Sequence, residues 1–117
     1  MRLDKDLVAA SATPLVLAIL ADGESYGYAI LKRVRVLSHG ELEWSDGMLY
    51  PLLHRLGRLG YVTTEWREPA GGRRRRYYVI TDDGRAALAE HRRQWAAVTR
   101  TLDGVWPGAL LASTGEA

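Results

Sequence analysis

The chain has 117 residues, of which 47% are hydrophobic and 26% are charged, with no cysteine and a formal net charge of +2. This length and composition are typical of one globular domain, and they argue against a two-domain enzyme with a cleft between separate cores. Disulfides, thiolate nucleophiles and cysteine-based zinc sites are excluded, and so is a uniformly polycationic protein.

The first predicted helix follows Thr13 and Pro14, which suit an amino-terminal cap and a first helical residue, and it ends near Gly23. The longest apolar run, residues 7–21, is interrupted by polar residues and is shorter than the ~20 apolar residues of a bilayer span. It also lacks the basic start of a signal peptide. We therefore expect no transmembrane helix and a cytoplasmic protein.

A second and a third helix follow. Ser25 is a plausible cap for an amphipathic helix that ends near Gly40, and Ser45 begins the third helix. The third helix has one apolar face, formed by Leu49, Leu52, Leu53, Leu56 and Leu59. Its opposite face is aromatic, basic and free of acidic residues, and it carries Gly47, Tyr50, Pro51, His54 and Arg58.

A β-hairpin is predicted next, with strands over residues 61–67 and 73–80 and a turn over residues 68–72. The second strand opens with four consecutive arginines at the hairpin tip. Three helices followed by a hairpin predict a winged helix over residues 1–80. The fold class is mainly α, with a winged helix-turn-helix and a long carboxy-terminal helix.

The last predicted helix covers residues 81–106, with Thr81 as its cap. Its apolar residues fit a heptad pattern, with Leu88, Trp95 and Leu102 at one core position and His91, Val98 and Val105 at the other. A small domain offers this helix no surface to bury it, so the pattern predicts a homodimer through these six residues. Residues 107–117 are expected to form a flexible tail.

The third helix and the hairpin are the strongest functional candidates. In a helix-turn-helix, the second helix enters the DNA major groove and reads base edges from its first turns. An arginine-bearing hairpin tip can straddle the phosphate backbone or reach a minor groove. The predicted partner is double-stranded DNA, contacted by Ser45, Gly47, Met48, Tyr50, Pro51, His54, Arg58, Arg73, Arg74, Arg75 and Arg76.

Each of these features has an alternative interpretation. The helix face and the arginines could simply be solvated, and a protein-binding winged helix without DNA binding is the alternative function. Binding of the arginines to a membrane surface is a further alternative, but no adjacent amphipathic helix is available to insert into the membrane. His39, Glu41 and Glu43 alternate as metal ligands can, but three such residues do not make a site, and a solvated loop between the second and third helices is the preferred interpretation. Ser45 and His54 lie on opposite sides of a helix, too far apart for catalysis. We expect no enzyme activity, metal or cofactor.

Trp95 also has two interpretations. It can be ordinary core packing, or two Trp95 rings can face each other across the dimer and bind a planar aromatic effector between them.

One set of residues follows a family pattern: Tyr26–Ile30, Ser45–Leu56, Gly60–Val62, Trp66, Arg76, Tyr77, Tyr78, Ile80, Thr81 and Gly84. In these residues the sequence resembles the PadR family of bacterial transcriptional regulators. It implies a winged helix with a single dimerisation helix, as in the compact subfamily, and repression of a nearby operon that a small molecule relieves. Two residues depart from the pattern: Met48 stands where many members have Thr or Ser, and Gly57 where they have Glu.

Overall fold

The computed structural model describes residues 3–106, which form four helices and a three-stranded antiparallel sheet. This is the predicted winged helix-turn-helix with a long carboxy-terminal helix. The predicted tail, residues 107–117, lies outside the described residues. The elements are α1 Lys5–Ala21, β1 Ser25–Tyr26, α2 Gly27–Leu37, α3 Asp46–Arg58, β2 Val62–Arg67, β3 Arg75–Ile80 and α4 Asp82–Val105.

Helix α1 begins earlier than predicted, and the predicted start at Thr13 and Pro14 is wrong. Asp4 is the cap, and its side chain accepts a hydrogen bond from the Asp6 N–H at 2.7 Å. Pro14 lies inside the helix, where it removes one backbone hydrogen bond. The cap and the packing of Ala12 against the core outweigh that loss. No helix of the described residues is long and apolar enough to cross a membrane.

The prediction that Ser25 caps α2 is also wrong. Ser25 and Tyr26 form the short strand β1, which pairs with Tyr78 and Tyr77 of β3, so that the sheet has the order β1-β3-β2. Tyr26 is the cap residue of α2, and its side chain makes no capping hydrogen bond. A strand of two residues has no periodicity in the sequence that could predict it.

Helix α3 begins where predicted, because the Ser45 hydroxyl accepts a hydrogen bond from the Met48 N–H at 3.2 Å. Four of the five predicted leucines are buried, whereas Leu59 is exposed because it follows the last helical residue. The leucines of α3 meet apolar residues of the other elements in one core. The core includes Val16, Leu17, Leu20, Ile30, Val34, Leu49, Leu53, Leu56, Val62, Tyr78 and Ile80.

Helix α4 begins as predicted, but it does not lack an intrachain surface. The Gly84 N–H donates to the Thr81 hydroxyl oxygen at 3.0 Å, and that hydroxyl donates to the Gly60 carbonyl at 2.6 Å. The first half of α4 packs on α1, and Ala87 and Leu88 contact the core. The expectation that α4 has nothing of its own to bury against is therefore wrong for this half and holds only beyond Trp95.

Candidate nucleic-acid interface

The polar face of α3 is exposed as predicted. Met48 is the exception among the predicted contacts of this helix, since it is half-buried and packs against the core beside Leu42 and Trp44. Its thioether is therefore less available to a partner than the other predicted side chains. The exposed residues are Ser45, Gly47, Tyr50, Pro51, His54 and Arg58.

The register of the hairpin divides the four arginines. Strand β3 begins at Arg75, so Arg73 and Arg74 lie in the turn before it rather than in the predicted strand. Arg75 pairs with Arg67, and Arg76 pairs with Trp66. Because neighbouring residues of a strand point to opposite faces, Arg75 and Arg76 lie on different faces. Arg76 shares its face with the buried Tyr78 and is therefore on the inner side, towards α3.

Two open cavities lie between α3, the start of α2 and the hairpin, with volumes of about 590 and 460 Å³. They share a wall formed by Tyr50, Arg76 and Tyr78. The larger cavity also has Arg73, Arg75 and the start of α2 in its lining, and the smaller one has His54, Arg58 and the first half of β2. None of the residues that line the two cavities is acidic. The predicted helix face and the predicted hairpin thus form one continuous cationic surface, which we call the front surface.

Tyr50 lies against the first residue of α2. A Cβ atom at Gly27 would overlap the Tyr50 hydroxyl, whereas a Cβ at Gly47 or Gly57 would meet no such obstruction. Gly27 therefore allows the Tyr50 ring to lie across the start of α2. The sequence motif contained both residues, but their contact could not be predicted because they belong to different helices.

Tyr78 is a buried polar residue on the front surface. Its side chain is 6% exposed and lines both cavities. Burial raises the pKa of its hydroxyl above the ordinary value of 10.0, while the charge of Arg76 lowers it and Tyr50 raises it. The hydroxyl therefore stays protonated at neutral pH and can donate a hydrogen bond to an anionic group.

Aromatic rings hold several arginines of the hairpin, and this was not predicted. The guanidinium carbon of Arg74 lies 4.7 Å from the centre of the Trp66 ring, and that of Arg76 lies 5.9 Å from it. Arg75 lies 4.5 Å from the Tyr26 ring. These distances are within the ~6 Å range of cation–π attraction. The signal in the sequence was the run of arginines beside Tyr77 and Tyr78, but the pairing with Trp66 and Tyr26 depends on the register.

The outer face of the sheet carries a second chain of contacts. Arg67 forms an ion pair with Glu24 and lies 5.0 Å from the Tyr77 ring, which in turn meets Tyr26 edge-on at 5.3 Å. Arg75 covers the other end of this chain at Tyr26. The outer contacts therefore tie the hairpin to β1 and to the segment that leads into α2.

The predicted dimerisation residues divide into two groups along α4. Leu88, His91 and Trp95 are half-buried, and Leu88 and Trp95 line a groove of about 530 Å³ between α4 and α1. Val98, Leu102 and Val105 are exposed. The α1 side of the groove is formed by Ser11, Pro14, Leu15, Ala18, Ala21 and Asp22.

The other candidate residues lie at a helix cap and in an exposed loop. The Ser45 hydroxyl caps α3 through the Met48 N–H. His39, Glu41 and Glu43 are exposed in the loop between α2 and α3. Within residues 3–106, no group of three His, Asp or Glu side chains is placed to hold a metal ion.

The fold and the front surface define the chain as a winged-helix protein with an appended long helix. A model of the PadR-like family of transcriptional regulators matches residues 16–90, more than half of the chain. The chain therefore belongs to the PadR-like family. Members of this family are transcriptional regulators rather than enzymes, which agrees with the predicted class.

Similar proteins agree with this assignment. The transcriptional regulator YqjI of Escherichia coli (strain K12) is 30% identical over 97 residues, which are 83% of this chain and 45% of YqjI. The chain thus spans about half the length of this curated relative. Smu.1704 from Streptococcus mutans is 34% identical, with a TM-score of 0.75 over 86% of this chain and 90% of that one. A PadR-like transcriptional regulator from Bacillus cereus is 27% identical, with a TM-score of 0.78 over 87% and 97%.

Proposed function

We propose that this protein is a ligand-responsive transcriptional repressor that acts in the cytoplasm and binds a near-palindromic operator as a homodimer. The observation that carries the DNA-binding part is the front surface, where α3 and the arginines of the hairpin line two adjoining cavities without an acidic residue. A polyanion neutralises such a surface, and a duplex is long enough to contact the helix and the hairpin together.

The proposed DNA contacts have two roles. Gly47, Tyr50, Pro51 and His54 lie on the exposed side of α3, from which a helix inserted in the major groove reads base edges. Arg73, Arg74, Arg75 and Arg76 lie at the hairpin, where they neutralise backbone phosphates. Arg58, near the end of α3, is placed for a phosphate at the edge of the groove. The alternative, a protein-binding module, requires an apolar outer face on α3, and this face is polar.

The test of DNA binding is a mobility-shift assay with fragments from the region upstream of the protein's own gene. We expect binding to a site with half-sites about one helical turn, ~34 Å, apart, because a dimer presents two α3 helices. The control is a duplex in which one half-site is scrambled. Equal affinity for the intact and the scrambled duplex would contradict sequence-specific binding by a dimer.

The proposed dimer uses the second half of α4. Val98, Leu102 and Val105 are 50%, 36% and 79% exposed, and their heptad spacing places them on one side of the helix. A second copy of α4 covers this apolar side. Light scattering should therefore give twice the mass of one chain at micromolar concentration. Leu102→Asp should give a single-chain mass, because it places an unpaired charge in the interface.

The proposed effector is a planar aromatic molecule that stacks on Trp95. Trp95 is half-buried and lines the apolar groove beside Leu15, Ala18 and Leu88. A ligand wedged there changes how α4 lies on α1, and with it the separation of the two α3 helices in a dimer. Planar dyes of different charge should quench tryptophan fluorescence in the wild type but not in Trp95→Ala. Equal quenching in both proteins would assign the effector site elsewhere.

A further inference from the structure

Trp66 is a large apolar side chain that the hairpin leaves exposed to solvent. It is 55% exposed and lies on the inner face of β2, directly across from Arg76. Its ring lines the larger cavity of the front surface, together with residues of α2, α3 and the hairpin turn. The hydrophobic core does not explain an indole at this position.

The contacts of Trp66 are with two of the four consecutive arginines. Arg74 lies 4.7 Å from the centre of the indole ring and Arg76 lies 5.9 Å from it. Arg76 is held further by a 3.5 Å hydrogen bond that it donates to the Thr64 hydroxyl, and it lies 6.0 Å from the Tyr78 ring. Arg74, in contrast, is in the turn, where no strand hydrogen bonds fix its backbone.

The two outer arginines of the sheet have different partners. Arg75 lies over Tyr26, and Arg67 lies over Tyr77 and pairs with Glu24. Both begin on the outer face of the sheet, and Arg75 also reaches the rim of the larger cavity beside Tyr26. The inner and outer arginines are therefore distinguished by the ring that each one contacts rather than by their order in the sequence.

We propose that Trp66 is the positioning residue of the hairpin, holding Arg74 and Arg76 in the orientation in which they meet the phosphate backbone of a duplex. This inference rests on the proposed DNA binding. A free arginine loses much rotamer freedom when it binds a phosphate, and a guanidinium already stacked on an indole loses less. Stacking leaves the edge of the guanidinium, with its N–H groups, free to donate to a phosphate.

The test uses a substitution that removes no charge. Trp66→Ala is compared with the wild type by fluorescence anisotropy, on a labelled duplex selected by the wild type from a random pool and on an unselected duplex of equal length. We expect about tenfold weaker binding to both duplexes. Over about 50 to 200 mM salt, we also expect the slope of log affinity against log salt to become shallower by about 0.9 for each phosphate that the variant no longer neutralises.

Two further variants separate cation–π holding from ordinary packing. Trp66→Phe keeps an aromatic face and should restore most of the affinity and of the salt slope. Trp66→Leu keeps the apolar bulk without the aromatic face and should behave as Trp66→Ala. Thermal unfolding of all three variants checks that the hairpin remains folded, and Arg67→Ala is the charge control on the outer face.

The outcomes distinguish this inference from the proposed function. If the wild type binds no duplex, both the function and the inference are overturned. If the wild type binds DNA and Trp66→Ala keeps its affinity and salt slope, the role of Trp66 is wrong while the function stands. If Trp66→Leu restores binding as well as Trp66→Phe does, Trp66 only packs, and the cation–π role is overturned.

Discussion

The front surface and the α1–α4 side of the molecule are built on opposite principles. On the front surface, an exposed aromatic ring outside the core holds cations, as Trp66 holds Arg74 and Arg76. On the α1–α4 side, apolar residues pack helix against helix, and Leu88 contacts the core. Side chains that contact mainly one another, such as Trp66 and its arginines, can be substituted without unfolding the domain. We therefore expect substitutions on the front surface to alter binding, and substitutions at the start of α4 to alter stability.

Gly84 and Gly27 illustrate this difference, because an added Cβ atom would overlap a different kind of group at each position. A Cβ atom at Gly84 would overlap the Tyr61 carbonyl oxygen and lie 2.7 Å from the Ile80 Cγ1 atom, whereas a Cβ at Gly27 would meet only the end of the Tyr50 side chain. A backbone carbonyl cannot move without displacing a strand. The tip of a half-exposed tyrosine can rotate away. The same added methyl group should therefore damage folding at Gly84 and binding at Gly27.

The largest predicted effect is that of Gly84→Ala. Gly84 is in the first turn of α4, at the point where this helix crosses the end of the sheet. We expect the free energy of unfolding to fall by about 3 kcal/mol, in the upper range for overpacked sites. Urea unfolding followed by circular dichroism measures this change. Gly104→Ala, in the same helix and in open space, is the matched control, and equal stability of the two variants would contradict the argument.

The second prediction concerns the arginines of the hairpin. Arg73→Ala combined with Arg74→Ala removes two cations from the turn that faces the duplex, so affinity should fall for all sequences alike. The slope of log affinity against log salt should become shallower by about 0.9 for each phosphate left without its arginine. Arg67→Ala, on the outer face, removes one charge and should leave the slope nearly unchanged. A similar loss of affinity per charge in both variants would mean that net charge alone determines binding.

The sequence predicted the helices and strands of the two regions better than it predicted the contacts between them. The apolar spacing of the leucines and the cap at Ser45 located α3, and Thr81 located the start of α4, because local hydrogen bonds and periodicity determine these features. The start of α1 was wrong because Pro14 is tolerated inside a helix that the core and the Asp4 cap stabilise. Local sequence preferences at Thr13 and Pro14 do not show how strongly tertiary packing stabilises the helix that contains them.

The candidate site shows the same limit. The exposed face of α3 was predicted residue by residue, apart from the half-buried Met48. Alternation of the arginines between the two faces was expected for a strand, but which arginine lies on which face was not predicted, since that follows from a register that pairs Arg76 with Trp66 and Arg75 with Arg67. The strand β1 was also missed, and with it the contact of Arg75 with Tyr26. Contacts between segments that are distant in the sequence can be identified only once the fold is known.

The third prediction is that Gly27→Ala weakens operator binding by about tenfold while the free energy of unfolding changes by less than ~1 kcal/mol. The added methyl group displaces the Tyr50 hydroxyl, and a residue forced from its productive position no longer reaches its partner on the DNA. Tyr50→Phe, which removes the hydroxyl but keeps the ring, tests the same interaction from the other side. If Gly27→Ala unfolds the domain, Tyr50 is rigidly packed and the contrast with Gly84 fails.

The smallest predicted effect is that of Gly57→Ala, on the front surface itself. Gly57 is exposed near the end of α3, and a Cβ there meets nothing within 4 Å. Alanine is favoured over glycine inside a helix by about 1 kcal/mol, so the free energy of unfolding should rise by about that amount. Gly57 also lines the smaller cavity with His54 and Arg58. Because the methyl group occupies little of this cavity, operator affinity should stay within about twofold of the wild type, or under ~0.5 kcal/mol. If the variant is more stable but binds much more weakly, the duplex approaches the backbone of α3 at Gly57. The DNA would then lie closer to α3 than contact with the hairpin arginines alone requires.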